Sequence, residues 1–280
     1  MIEPILAVEA LLADISQAAA QQPDALHLWW LGQSGFLVAH GNTRIVLDPY
    51  LSDSLTAKYA DTDKPHVRMT ERVVDPAALR GVALVTSSHN HTDHLDADTL
   101  LPLFAANPDA RLVLPSVNRA FAAGRLGWSQ DDPRLTGIAE GRSATFAGVS
   151  VEGVPAAHEA LSPEYLGFVV GIGPWRLYHS GDTIPYDGME ERLRPYGVDV
   201  ALLPINGRAP ERRVSGNLWG DEAARLAHAI GAGVAVPCHY EMFTFNTAPP
   251  DVFEATCRAL GQPFRTLRAG ERLTVAPHPC

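Results

Sequence analysis

The chain has 280 residues, 46% of them hydrophobic and 19% charged, which excludes a disordered or fibrous protein and leaves enough length for a sizeable core. A formal net charge of −10 without any Lys/Arg run argues against a nucleic-acid partner, and no apolar stretch reaches the ~18 residues needed to span a bilayer. The three cysteines, Cys238, Cys257 and Cys280, are scattered and form no CxxC pair, so the expectation is reduced thiols in a cytoplasmic protein and no disulfide framework.

Residues 1–22 have no basic leader. Ile5, Leu6, Val8, Leu11, Leu12 and Ile15 recur at helical spacing, which predicts an amphipathic N-terminal helix over 1–22. Residues 26–31, 34–39 and 43–48 read as a meander of three strands, with a turn at Gly41-Asn42. Residues 50–78 are polar and poorly periodic, a long surface excursion of the kind that often carries function. A buried strand at 82–86 follows, then a helix near 97–106 behind Asp96 as N-cap, a strand at 111–114 and a helix near 116–126. The second half gives strands at 143–147, 149–154, 165–171, 175–179, 198–204 and 233–238. Helices are expected near 188–194, 220–230 and 250–260, with two short terminal strands. Gly167, Gly171 and Gly173 read as bend or turn glycines, without a dinucleotide fingerprint. Length alone allows about two domains. The order of elements fits one domain over 1–280, two sheets between outer helices.

Between the strand at 82–86 and the next helix lies His89-Asn90-His91-Thr92-Asp93-His94. Three imidazoles and a carboxylate in six positions would repel one another if protonated and bury poorly satisfied nitrogens if neutral. A divalent metal removes both problems. His89 and His91, two apart in extended backbone, can share one metal position, while Asp93 and His94 face another. Further polar residues stand where buried strands end: His158, Asp182 and His239. His179 is read either as a site residue or as a core histidine. His228, in a helical pattern, and His278, in the tail, read as solvated.

Taken in order, HxHxDH, a His, an Asp after Ser-Gly and a final His resemble the metallo-β-lactamase fold superfamily. Trp30-Leu31-Gly32-Gln33-Ser34-Gly35-Phe36, Asp48-Pro49-Tyr50-Leu51-Ser52-Asp53-Ser54, His179-Ser180-Gly181-Asp182-Thr183, Pro204-Ile205-Asn206-Gly207-Arg208 and His239-Tyr240-Glu241-Met242-Phe243 look like its L-ascorbate-6-phosphate lactonase (UlaG-like) branch, over roughly residues 26–275. The resemblance implies an α/β fold of four layers, αββα, around two divalent ions, Mn or Zn. His89, His91 and His158 would hold the first ion, Asp93, His94 and His239 the second, and Asp182 would bridge them. Asp48 would orient a ligand imidazole.

The implied chemistry is hydrolysis at a carbonyl or phosphoryl centre, with Asp93 and Asp182 as catalytic carboxylates. Asp93 would orient the attacking water and carry its proton. Asn206, Arg208, Arg212 and Arg213 form a local basic patch. Arg208 is read as an anion contact, and Arg212 and Arg213 as solvated side chains. Gln33 and Tyr240 are expected to offer hydrogen bonds to substrate. The leading reading is a metal-dependent hydrolase, a lactonase acting on a small phosphorylated or anionic metabolite. A phosphodiesterase or nuclease of the same fold is the alternative, and a metal-binding sensor without turnover a third. No nucleic acid or membrane partner is expected, and self-association into a homo-oligomer is left open.

Overall fold

The structure is a computed structural model that describes residues 1–277. His278 and Cys280 lie outside the described residues.

Three strands open the first sheet: β1 (Leu26–Gly32), β2 (Gly35–His40) and β3 (Thr43–Leu47). They pair antiparallel as the meander requires. β4 (Val82–Thr86), β5 (Arg111–Pro115) and β6 (Leu135–Ile138) continue the sheet in parallel from β3. The second sheet begins with β7 (Ser143–Phe146), β8 (Val149–Ala157), β9 (Leu161–Ile172) and β10 (Trp175–His179), all antiparallel neighbours. β11 (Val200–Pro204) and β12 (Val234–Cys238) add to β10 in parallel. β13 (Arg272–Val275) returns to the edge of the first sheet beside β1.

The strands near the centre are buried on both faces, so polar alternation is lost and apolar residues simply divide between two cores. Leu28 and Trp30 of β1 point into the core between the sheets, together with Phe36, Val38 and Phe168. Trp29 and Leu31 point the other way. They meet the helices α1 (Val8–Gln21), α3 (Ala97–Ala106) and α4 (Arg119–Leu126). Over the second sheet lie α5 (Met189–Leu193), α6 (Gly220–Ala229) and α7 (Asp251–Leu260), which bury Ala223, Ala224, Phe253 and Cys257. The result is two mixed sheets flanked by helices, in four layers.

Several elements differ from the sequence reading. The N-terminal helix starts at Val8, because the preceding backbone is drawn into extended contacts, with Ile2 N–H donating to Met69 O and Ile5 N–H to Ala269 O. Ile5 is therefore 45% exposed, and only Leu11, Ile15 and Ala18 of the helix are buried. β6 is short and carries Gly137 in its middle, which hides it from periodicity. The glycine is required there: a Cβ would lie 2.8 Å from the Cα of Ser116. The helix near 116–126 opens as a 3₁₀ turn over Ser116–Asn118. Of the two terminal strands expected, one forms; the other is an isolated bridge between Phe264 and Ala235.

Residues 50–78 carry a short helix, α2 (Ser54–Lys58), and then run beside the segment that follows β12. Met69 N–H donates to Met242 O at 2.8 Å and Thr244 N–H to Val67 O at 3.1 Å, around an Arg68–Phe243 bridge. The Thr70 hydroxyl donates to Glu241 O at 2.5 Å. Residues 67–70 of the excursion are thus tied to one backbone stretch, 241–244. Among the described residues, no helix is long and apolar enough to cross a membrane.

Candidate metal centre

β8, β10, β11 and β12 run in one direction, and so do β3, β4 and β5. Their carboxyl ends meet along one edge of the sandwich, where α/β sheets commonly bind ligands. His89–His94 follow β4, His158 follows β8, Asp182 follows β10 and His239 follows β12. Two groups form: His89, His91 and His158, and beside them Asp93, His94, Asp182 and His239. Within each group, one donor atom per residue lies within 4.8 Å of every other.

Asp182 stands between the groups. Its Oδ2 is 3.6 Å from His158 Nε2 and 3.2 Å from His239 Nε2, and its Oδ1 is 3.3 Å from His94 Nε2. Both carboxylates line the cavity, and the Asp93 side chain, 16% exposed against 4% for Asp182, is the more open of the two. Asp182 depends on Gly181, whose φ of +59° and closeness to Ser88 leave no room for a side chain.

The imidazoles are oriented from behind. His94 Nδ1–H donates to Asp48 Oδ2 at 2.8 Å, and His158 Nδ1–H to Gly216 O at 2.9 Å. His158 therefore presents a bare Nε2 to the centre, the nitrogen a metal takes. Burial lowers the pKa of His94, but Asp182 and Asp93 outweigh it and raise it well above the usual imidazole value, so a metal at its Nε2 would take the place of a proton. Asp48 is fully buried and also accepts from the Thr86 hydroxyl at 2.6 Å and the Ser88 N–H at 3.0 Å. Burial alone would push its carboxyl up; His179 and His94 outweigh that and hold it at about 2. Gln33 Nε2 donates to Asp93 Oδ2 at 2.7 Å and lies 3.0 Å from His239 Nε2. Gln33, Asp48 and His239 all have positive φ (51°, 37° and 62°), a strained backbone that typically marks a functional site.

A divalent cation suits this set. His89 Nε2, His94 Nε2 and Asp182 Oδ1 are buried without a hydrogen-bond partner, a costly arrangement for polar atoms unless a further partner binds them. Burial lowers the pKa of His158 to about 4 and that of His89 well below the usual imidazole value, favouring the neutral form that coordinates. The donors are all nitrogen and oxygen, suited to Zn, Mn or Fe(II).

His239 behaves oppositely. Burial pulls its pKa down, but Asp182 and Asp93 outweigh burial and raise it to about 9. Its proton then stabilises the fold fully below the unfolded value of 6.5, and that contribution is lost as pH rises through about 9. Chelator-treated protein should accordingly lose stability in urea between pH 6.5 and 9, a loss that saturating metal suppresses by replacing the proton. Identical denaturation midpoints across that window in the chelated protein would contradict this account.

The centre lies at the floor of a cavity of about 740 Å³. Gln33 lines it, but the other expected substrate contacts do not. Arg208 makes a bidentate pair with Glu222 at 2.6 Å, beside the first turn of α6. Asn206 is fully buried and bonded to Asn246 and Asn217. Tyr240 donates its hydroxyl to Leu267 O and packs on Trp30, with ring centroids 4.5 Å apart. Arg212, expected to be solvated, donates to Asn206 O and Thr247 O. Arg213, also read as solvated, is the arginine of this patch that reaches the cavity, where it pairs with Asp63 at 2.7 Å. His179 is a core residue, bonded to Ser34 O at 2.9 Å.

Sequence reasoning missed Lys58, Tyr59 and His66 from the excursion, Phe121 and Arg125 from α4, and Phe243 and Phe245 after the last histidine. The one available signal was Phe-x-Phe at 243–245, four positions after His239, a pair of rings close in sequence to a candidate ligand.

With this geometry established, comparison with known proteins gives the class. A family model described as a beta-lactamase superfamily domain matches residues 43–240, a stretch that includes every residue of both groups. The chain belongs to that superfamily. A UPF0173 metal-dependent hydrolase from Rubrobacter xylanophilus is 29% identical over 258 residues, covering 87% of this chain and 94% of its own. Another from Aeropyrum pernix is 28% identical over 256 residues, covering 87% and 95%. Igni18, a metallo hydrolase from Ignicoccus hospitalis, superposes with a TM-score of 0.67 at 23% identity over 91% of this chain and 100% of that one. Its likeness is one of fold, the four-layered metallo-β-lactamase sandwich.

Proposed function

We propose that this metal-dependent hydrolase of the beta-lactamase superfamily opens a lactone or ester of a small anionic metabolite. The carrying observation is a floor of two adjoining metal-binding groups beneath walls that present Lys58, Arg125 and Arg213. His89, His91 and His158 would hold one divalent ion, Asp93, His94 and His239 a second, with Asp182 between them; Mn and Zn both suit the donors. Bound there, such ions would supply Lewis-acid chemistry and a water of lowered pKa, toward ~7. Asp93, aligned by Gln33, orients the water and takes its proton for delivery to the leaving oxygen. Lys58 and Arg213 take the anionic group of the substrate, and Arg125 holds the metal loop by donating to Asn90 O and Leu95 O. The resemblance to L-ascorbate-6-phosphate lactonases supports the same substrate class. A net charge of −10 disfavours a nuclease.

The test is elemental analysis of purified protein joined to a panel of phosphorylated lactones, simple esters and bis-p-nitrophenyl phosphate. Turnover of lactones is expected. Cleavage of the phosphodiester alone would transfer the protein to the phosphodiesterase alternative.

Removing both Lys58 and Arg213 (Lys58→Met, Arg213→Gln) should raise KM for an anionic lactone by about 10-fold or more, the worth of charge-assisted hydrogen bonds. The kcat should stay within about twofold. The exposed Arg213–Asp63 pair adds little to stability, so the fold should be unaffected. An unchanged KM would remove these residues from substrate binding.

A further inference from the structure

We propose that His66 is a specificity-determining residue, whose Nε2 accepts a hydrogen bond from a hydroxyl of the substrate. This inference rests on the hydrolase reading above and names the feature that its substrate must carry.

His66 lies in the 50–78 excursion, away from both metal-binding groups in sequence, and lines the same cavity as Asp93 and His239. Its ring is held on three sides. It stacks on Tyr59 with centroids 4.2 Å apart at 19°, and it meets the edges of Phe243 at 5.1 Å and Phe245 at 4.6 Å. Its own carbonyl accepts from the Thr56 hydroxyl at 2.7 Å. The backbone immediately after it is the stretch tied to residues 241–244, directly behind His239. A side chain so restrained is placed relative to the metal centre with little freedom, as a recognition group should be.

The tautomer is also set. His66 Nδ1 lies 3.1 Å from Lys64 O, and a carbonyl only accepts, so Nδ1 carries the proton. Burial lowers the pKa of the imidazole, which keeps it neutral near pH 7. Nε2 is then a lone pair, and no described residue hydrogen-bonds to it. Apolar ligands would leave that acceptor dry and unpaired among aromatic rings, which is unfavourable; a hydroxyl would satisfy it. The hydrogen bond to Lys64 O and the charge of Asp93 favour a second proton on the ring, Lys64 and Lys58 oppose it, and burial, the largest influence, decides for the neutral form.

The test compares metal-loaded wild type, His66→Phe and His66→Gln on phosphogluconolactone and on the same lactone stripped of its ring hydroxyls. Calorimetric binding of phosphogluconate, the ring-opened product, is measured in parallel. His66→Phe keeps a ring in the aromatic pocket and removes Nε2. It should lower kcat/KM for the hydroxylated lactone about 10-fold through KM, leave the stripped lactone unchanged and weaken phosphogluconate by the same factor. His66→Gln, which offers an amide oxygen, should recover part of the loss. A fall of equal size on both lactones, or none on either, would overturn the inference while the lactonase reading stands. If wild type opens neither lactone, the lactonase reading fails and calorimetry decides alone. Phosphogluconate bound equally by wild type and His66→Phe, or by neither, then overturns the role of His66.

Discussion

Replacing Asp182 with Asn should reduce hydrolysis by more than the ~10–100-fold typical when a partner of a metal ligand is lost, and should lower the metal content of the purified protein at the same time. The side chain keeps its size, so the fold is expected to survive; what goes is the negative charge. That charge faces both groups of donors, with Oδ2 toward His158 and His239 and Oδ1 toward His94. Burial pushes the Asp182 carboxyl up, yet His239 and His94 hold it well below the usual carboxylate range, so it is ionised throughout the working pH range. Elemental analysis and initial rates on the same preparation form the measurement. Wild-type rates with full metal content would mean that the carboxylate between the groups is dispensable, and the assignment of the centre would be wrong.

The second large effect is expected at Asp48. It is remote from the cavity, yet three donors converge on it: the Thr86 hydroxyl, the Ser88 amide and His94 Nδ1. Asp48→Ala strands all three donors at buried positions, and removal of one partner from a buried charged pair costs about 3–5 kcal/mol. Metal affinity should drop ~10–100-fold as well, because the His94 ring loses what fixes its orientation. Asp48→Asn keeps an acceptor and should fall between. The pH dependence has a definite sign. The folded carboxyl, at about 2, releases its proton more readily than the unfolded one at 3.8, so its contribution is present above 3.8 and is lost as pH falls through about 2. Denaturant unfolding of wild type and Asp48→Asn over that acid range measures it. Equal acid sensitivity in the two proteins would refute the assignment, as would a stability loss in Asp48→Ala below about 1 kcal/mol.

The floor of the cavity was legible in the sequence because its chemistry is local. His89 to His94 announce themselves in six positions, and His158, Asp182 and His239 each stand at the end of an apolar strand that periodicity reveals. The walls were not legible, for two different reasons. Lys58, Tyr59 and His66 sit in a stretch without periodicity, and only its pairing with residues 241–244 turns it toward the cavity. Arg208 misled in the other direction. It belongs to a string read as resembling the lactonase branch, but Glu222 lies three residues past Trp219, at the start of α6, where its carboxylate reaches both the Trp219 amide and the Arg208 guanidinium. Nothing in a linear reading separates an arginine that meets a substrate from one that meets a glutamate 14 positions later. The overhang of the β8–β9 hairpin was shortened for a related reason: residues 161–165 leave the core, and their exposure erases the apolar signal.

One donor loop comes from the first sheet, whereas His158, Asp182 and His239 come from the second. Ions held between them would act as rivets across the seam of the sandwich. Each half would be taut against the other only while the rivets are in, so occupancy would govern mechanical coherence as well as turnover. A cell short of the right ion would then hold a looser molecule as well as an idle one, more open to proteolysis along the seam than its core alone would suggest.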